Sequence, residues 1–154
     1  MIFVTLGTQD KPFTRLLDAI EHSNIDDRII AQVGFTDYHS EKMEIHKYLD
    51  KDEFERNIAE ADVVISHAGV GSIMQALKLK KKVIACPRLS KYGEHQNDHQ
   101  LQITEPFYEK GYILRYLDGD DIDEIYRKAK DFVPREYKTN NENFVKKLEE
   151  YLGI

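Results

Sequence analysis

The feature that most constrains this chain is a set of short apolar runs, at residues 2–6, 29–33, 63–66 and 83–85, in which β-branched residues stand at consecutive rather than alternate positions. A strand that is apolar on both faces must be covered on both faces, which is the signature of a parallel sheet between helical layers. Weaker runs at 43–46 and 111–114 read as further strands. Helical patterns lie between them. In the first, Phe13, Leu16, Leu17 and Ile20 fall at i, i+3, i+4 and i+7, and Pro12 suits its opening turn. Further helices are expected over 52–61, 71–79, 95–104 (ending ahead of Pro106) and 121–132. Strand and helix in alternation predict an α/β fold, a single Rossmann-like doubly wound parallel sheet. With 154 residues the chain has room for one such domain.

Ligands of doubly wound sheets bind beyond the carboxyl ends of the strands, so the loops that follow strands carry the functional information. After the run at 63–65 comes Ser66-His67-Ala68-Gly69-Val70-Gly71-Ser72, leading into a helical stretch. Gly69 and Gly71 let a ligand approach the backbone, and Ser72 with the free amides of the helix start can donate to phosphate oxygens. The alternative is a tight βα connection in which the glycines serve packing and Ser72 caps the helix. The segment fits neither the Walker pattern nor the G-x-G-x-x-G spacing of dinucleotide sites. A second loop, Leu6-Gly7-Thr8-Gln9-Asp10, also follows a strand. Thr8 either donates to a phosphate beside Gly7, or Thr8 or Asp10 caps the first helix.

The third segment, residues 86–100, concentrates hydrogen-bonding side chains. Glu94, Asp98, His99 and Gln100 are candidates for reading sugar hydroxyls, against the alternative of a solvated loop. His95 and His99 stand four apart, but without the H-E-x-x-H pattern or a third ligand they do not indicate a metal. Asp118-Gly119-Asp120-Asp121 has the D-x-D form of a metal–diphosphate site, yet reads better as a turn and an acidic helix cap. His67, without a carboxylate at short spacing to orient it, reads as a loop-shaping or phosphate-contacting residue rather than a general base. Cys86 reads as core.

Charge narrows the partners. The formal net charge of −6 disfavours nucleic acid, so an anionic ligand must be held by local dipoles. The absence of a long apolar run or a signal-like N-terminus leads to the expectation of a cytoplasmic protein. A polar stretch from residue 138 marks off residues 1–137 as the main domain. Residues 138–154 are then a linker and helix whose stripe of Phe144, Leu148 and Leu152 docks either on a partner or on the domain's own core.

Together the 66–72 segment, Gly93-Glu94-His95 and Asp98-His99-Gln100, supported by Leu6-Gly7-Thr8, resemble the C-terminal half of GT-B glycosyltransferases. The resemblance is to the PssE-like subunits of bacterial exopolysaccharide and capsule synthesis and, beyond them, the soluble subunit of the split enzyme that adds the second N-acetylglucosamine to dolichol-linked precursors. It implies that Gly69, Gly71 and Ser72 contact the nucleotide diphosphate, and that Gln75 stands where relatives often hold the ribose with an acidic residue. It further implies that His99 and Gln100 face the donor sugar, and that the backbone at Tyr48 and Leu49 lies against uracil. A UDP-sugar donor, no cofactor or metal, and a membrane-anchored partner supplying the N-terminal lobe and lipid-linked acceptor complete the expectation. The general base would then lie in the partner. A non-catalytic enhancer subunit and a self-sufficient hydrolase or epimerase on sugar nucleotides are the competing readings.

Overall fold

The computed structural model describes residues 1–137 together with Lys146 and Glu150. The expected helix through Phe144, Leu148 and Leu152 therefore lies outside the described residues. Six parallel strands form one open sheet: β1 (Ile2–Thr5), β2 (Ile29–Gln32), β3 (Met43–His46), β4 (Val63–Ser66), β5 (Lys82–Ala85) and β6 (Leu114–Arg115). Their order across the sheet is β3-β2-β1-β4-β5-β6. The chain thus winds outward from β1 in one direction, then returns to β4 on the other side of β1. This is the doubly wound sheet the apolar runs predict.

Consecutive residues of each strand serve opposite cores. Ile2 and Val4 of β1, Ile29 and Ala31 of β2, and Val63 and Ile65 of β4 share one cluster with Leu16, Leu17 and Ile20 of α1 (Thr14–Glu21) and with Ile122 and Ala129 of α5 (Ile122–Asp131). Phe3, Ile30, Val64 and Val83 face the other cluster. There they meet Ile58 of α2 (Lys51–Glu60), Ile73, Ala76 and Leu77 of α3 (Val70–Lys78), and Ile103 and Phe107 of α4 (His99–Glu109). Two-sided burial is why the strands show no polar alternation.

Several boundaries differ from the sequence expectation. Helix α4 begins at His99, not 95, and continues through Pro106 to Glu109. Proline removes one helical hydrogen bond at a cost of about 3 kcal/mol. Ile103, Thr104 and Phe107, all buried on either side of it, hold the helix together across the gap. Helix α1 opens at Thr14 after an N-cap at Phe13, so Pro12 precedes it, and neither Thr8 nor Asp10 caps it. The Phe13 amide donates instead to Thr36 Oγ1 at 2.9 Å. Strand β6 falls at Leu114–Arg115 rather than 111–114, where Gly111 sits at φ +80° in the turn leading into it.

Candidate functional site

Reversal of winding between β1 and β4 leaves a crevice at their carboxyl ends, because the loops leaving the two strands run to opposite faces of the sheet. A pocket of about 230 Å³ occupies it. Gly7 and Thr8 line it from the β1 loop, and His67, Gly69, Gly71 and Ser72 from the β4 loop, over a floor that includes Gln32 and Phe54. Two loops read separately from the sequence thus share one cavity.

The helix start on this pocket shares its lack of a side-chain cap with α1 and α4 and differs from α2 and α5. Helix α2 is capped by Asp50, which accepts from the Glu53 amide at 2.8 Å, and has Asp52 and Glu53 in its first turn. Helix α5 is capped by Asp121, with Asp123 and Glu124 behind it. Helix α3 has Gly69 at its cap, no side-chain cap and no acidic residue in its first turn. Ser72 is not the cap but lies two residues inside the helix. The positive end of the α3 dipole therefore faces the pocket without a carboxylate of its own.

His67 shapes the space between the loops. It is 7% exposed, and its ring fills the positions where side chains on two glycines would lie. A Cβ on Gly7 would stand 2.4 Å from His67 Nε2, and one on Gly69 2.5 Å from the same atom. Gly7 (φ +74°) and the non-glycine Ala68 (φ +69°) both take the left-handed conformation, which bends each loop around the ring. Burial, reinforced by the Arg88 cation, lowers the His67 pKa to about 4, and its Nδ1 has no hydrogen-bond partner. The imidazole is neutral at pH 7. Gly71, by contrast, has nothing within 4 Å of its Cβ position and opens directly on the pocket.

The β5 loop is organised by charges that sequence reasoning did not single out. Arg88 is fully buried, and its guanidinium donates to the carbonyls of Leu6 (2.7 Å), Lys11 (2.8 Å) and Glu94 (3.0 Å) while stacking over Phe13. Arg15 of α1 donates to both oxygens of Glu94, at 3.1 and 3.0 Å. The β5 loop is therefore fastened to the β1 loop by Arg88 and to α1 by Arg15. Nothing in the sequence separates a buried arginine from a solvated one; the only signal is its position just beyond a strand buried on both faces.

This fastening determines where the expected sugar-reading residues point. Glu94 is buried, holding Arg15 and the Leu89 amide (3.0 Å); Gln100 is buried, accepting the Arg88 amide at 3.0 Å. Both are engaged within the protein. Asp98 is exposed and accepts the Ser90 amide at 2.9 Å, while His99 is half-buried at the start of α4. His95 lies ahead of α4, so His95 and His99 do not share a helical face. Among the described residues no three His, Cys, Asp or Glu side chains are grouped to hold a metal ion. Asp118 pairs with Lys91 (2.8 Å) and Tyr92 (2.8 Å), Asp120 accepts the Leu117 amide, and Asp121 caps α5, so the D-x-D motif is occupied structurally.

On the other flank, Tyr48 is 55% exposed beside Gly34, and the Leu49 amide donates to Gln32 Oε1 at 2.8 Å. That amide is thus engaged already. Gln75 is half-buried on the second turn of α3. Cys86 is fully buried, which pushes its thiol up to about 12 and makes it inert core.

Strand order and topology define the class of protein: an open doubly wound domain with the architecture of the C-terminal lobe of a GT-B glycosyltransferase. The chain belongs to the glycosyltransferase family 28 C-terminal domain family, which matches residues 1–152. Similar proteins include the UDP-N-acetylglucosamine transferase subunit ALG13 of Yarrowia lipolytica, 32% identical over 139 residues that span 79% of this chain and 67% of the relative. The protein of the same name from Candida glabrata is 39% identical over 90 residues, 56% of this chain and 43% of that one. The Saccharomyces cerevisiae protein is 45% identical over 53 residues, and the match spans 24% of its length. The chain thus spans less than half of these last two relatives.

Solved structures share the fold at low identity. The solution structure of ALG13 superposes with a TM-score of 0.65 at 22% identity, over 99% of this chain and 96% of that one. The calicheamicin glycosyltransferase CalG4 superposes with a TM-score of 0.63 at 14% identity, over 98% of this chain but 37% of its own.

Proposed function

We propose that this chain is the donor-binding subunit of an inverting glycosyltransferase, which moves galactose or N-acetylglucosamine from a UDP-sugar to a lipid-linked acceptor. The observation that carries the reading is the pocket at the β1–β4 switch point, where the uncapped α3 N-terminus meets Thr8, Gly71 and Ser72. Membership in the family and relatives named as UDP-N-acetylglucosamine transferase subunits support it.

In this reading the diphosphate sits on the first turn of α3, with the Ser72 and Thr8 hydroxyls as further donors. As the bond to the sugar breaks, negative charge grows on the departing diphosphate, and amides already aimed at it stabilise that charge without reorganising. The nucleoside extends toward Tyr48 and Leu49, and Gln75 bonds the ribose. A membrane-anchored partner supplies the N-terminal lobe, the acceptor and the general base, and recruits this chain to the cytoplasmic face of the membrane. The biological setting is bacterial exopolysaccharide or capsule synthesis, following the PssE-like resemblance.

The test is to mix the chain with the product of its genomic neighbour and membranes, and to screen labelled UDP-sugars for transfer to lipid, with UDP titrated by calorimetry alongside. Transfer that requires both chains, with UDP bound, is the expected result. Absence of UDP binding even in the assembled complex would leave a non-catalytic enhancer.

A further inference from the structure

The pocket has unlike flanks. Toward β2 and β3 stands Tyr48, aromatic and more than half exposed, beside Gly34 and the Gly7 carbonyl, a surface suited to a flat base. Toward β5 the β1 loop meets a polar side chain of the β5 loop. A diphosphate held on α3 has two substituents, and these must leave it along the sheet edge in opposite directions, so a polyhydroxylated one belongs on the β5 side.

Two partly buried polar side chains meet there. Gln9 of the β1 loop and His95 of the β5 loop are 86 residues apart in sequence, and the Gln9 amide lies 3.4 Å from His95 Nε2. The Asn97 amide donates to His95 Nδ1 at 3.3 Å, so Nδ1 is an acceptor and the proton of the neutral ring is on Nε2. Against an Nε2–H, Gln9 completes the contact by presenting its amide oxygen, which a half-turn of the terminal amide achieves. Gln9 directly follows Thr8, which lines the pocket, and its contact with His95 brings the pair to the pocket's β5 side. Burial and the cation of Arg88, with His99 close by, keep His95 itself below its ordinary pKa.

We infer that Gln9 and His95 are a hydroxyl-reading pair that determines which sugar the donor carries, an assignment that rests on the donor-binding function above. A hydroxyl needs one donor and one acceptor, and a 3.4 Å contact is long enough to open for it. It accepts from His95 Nε2–H and donates to the Gln9 amide oxygen. Glu94 and Gln100 then act as positioning residues: through Arg15 and the Arg88 amide they fix the loop that carries His95.

The experiment measures the ratio of affinities for UDP-sugar and for UDP, which isolates the sugar. UDP-N-acetylglucosamine, UDP-galactose and UDP are titrated into the assembled complex containing wild-type chain, Gln9→Ala, His95→Ala or His95→Gln, with thermal midpoints checked for each. The expected result is that UDP affinity holds within about twofold, while each alanine variant weakens the preferred UDP-sugar by about fivefold, as for one uncharged hydrogen bond. His95→Gln, which keeps a side-chain N–H, recovers most of that loss. An unchanged ratio, or an equal loss for UDP and UDP-sugar, overturns the pair as sugar readers while leaving the donor site intact. If wild type binds no uridine nucleotide, the donor-binding reading fails and the pair falls with it.

Discussion

At the residue scale, the glycines of this site divide into two kinds that look identical in sequence. Gly7 and Gly69 make room for the His67 imidazole, whereas Gly71 makes room for whatever enters the pocket. Gly71→Ala replaces a helical glycine in open space, so it should stabilise the fold by about 0.5–1 kcal/mol while weakening UDP binding, since its methyl projects into the cavity. Denaturation and calorimetry on one sample test both signs; a fall in stability would show that the space is not open. Gly7→Ala should destabilise through its left-handed φ and its collision with His67, and the collision component should vanish in the Gly7→Ala/His67→Ala double variant. His67 also links stability to acid. Its native pKa of about 4 lies below the unfolded value near 6.5, so between these values only the unfolded chain binds the proton. Stability is complete above about pH 6.5 and falls as pH drops toward 4, by about 3 kcal/mol from this group alone. Urea titrations at pH 4.5 and 7 should show a smaller difference for His67→Gln than for wild type; equal differences would mean that the ring is protonated in the native state.

At the element scale, what the sequence discloses and what it conceals follow from the range of the forces involved. Strands and helices were legible because burial on two faces, or on one stripe, leaves a local pattern in residue type. Val63 and Ile65 against Val64 show this directly. The start of α4 was misplaced because residues 95–98 are set by distant partners: Gln9 for His95 and Ser90 for Asp98. Its passage through Pro106 was concealed for a similar reason, since Phe107 is held by the second core rather than by local preference. That the loops following β1, β4 and β5 lie at the carboxyl edge of the sheet could be read from chain order alone. The inward turn of Glu94 and Gln100 could not, because it depends on Arg15 and Arg88, which carry no local mark of burial. Arg88 is the element-level test. Arg88→Met removes donors from two buried carbonyls and one part-buried carbonyl in two loops and should cost about 3 kcal/mol or more, measured by chemical denaturation. A loss below 1 kcal/mol would mean that water replaces the guanidinium. Asp50→Ala at the α2 cap should cost only about 1 kcal/mol, because one exposed amide is released.

At the scale of the whole molecule, the site and the surface oppose each other. The chain carries a formal charge of −6, yet in the proposed function its crevice takes an anion on the amides at the α3 start. The attraction is short-ranged, since dipole effects fade within the first helical turn, while the repulsion extends over roughly a Debye length of 10 Å at 0.1 M salt. Salt should therefore act on approach more than on the bound state. An anionic nucleotide diphosphate meets a repulsive field at low ionic strength, and screening lowers that barrier. Stopped-flow association of UDP with the assembled complex should accelerate by about two- to threefold between 20 and 200 mM sodium chloride, with dissociation nearly unchanged. Most sites for anions behave in the opposite way, slowing with salt because a basic surface draws the ligand in. A rate that falls with salt would mean that the field at the crevice is positive despite the net charge, and that the partner, rather than the helix dipole, supplies the attraction.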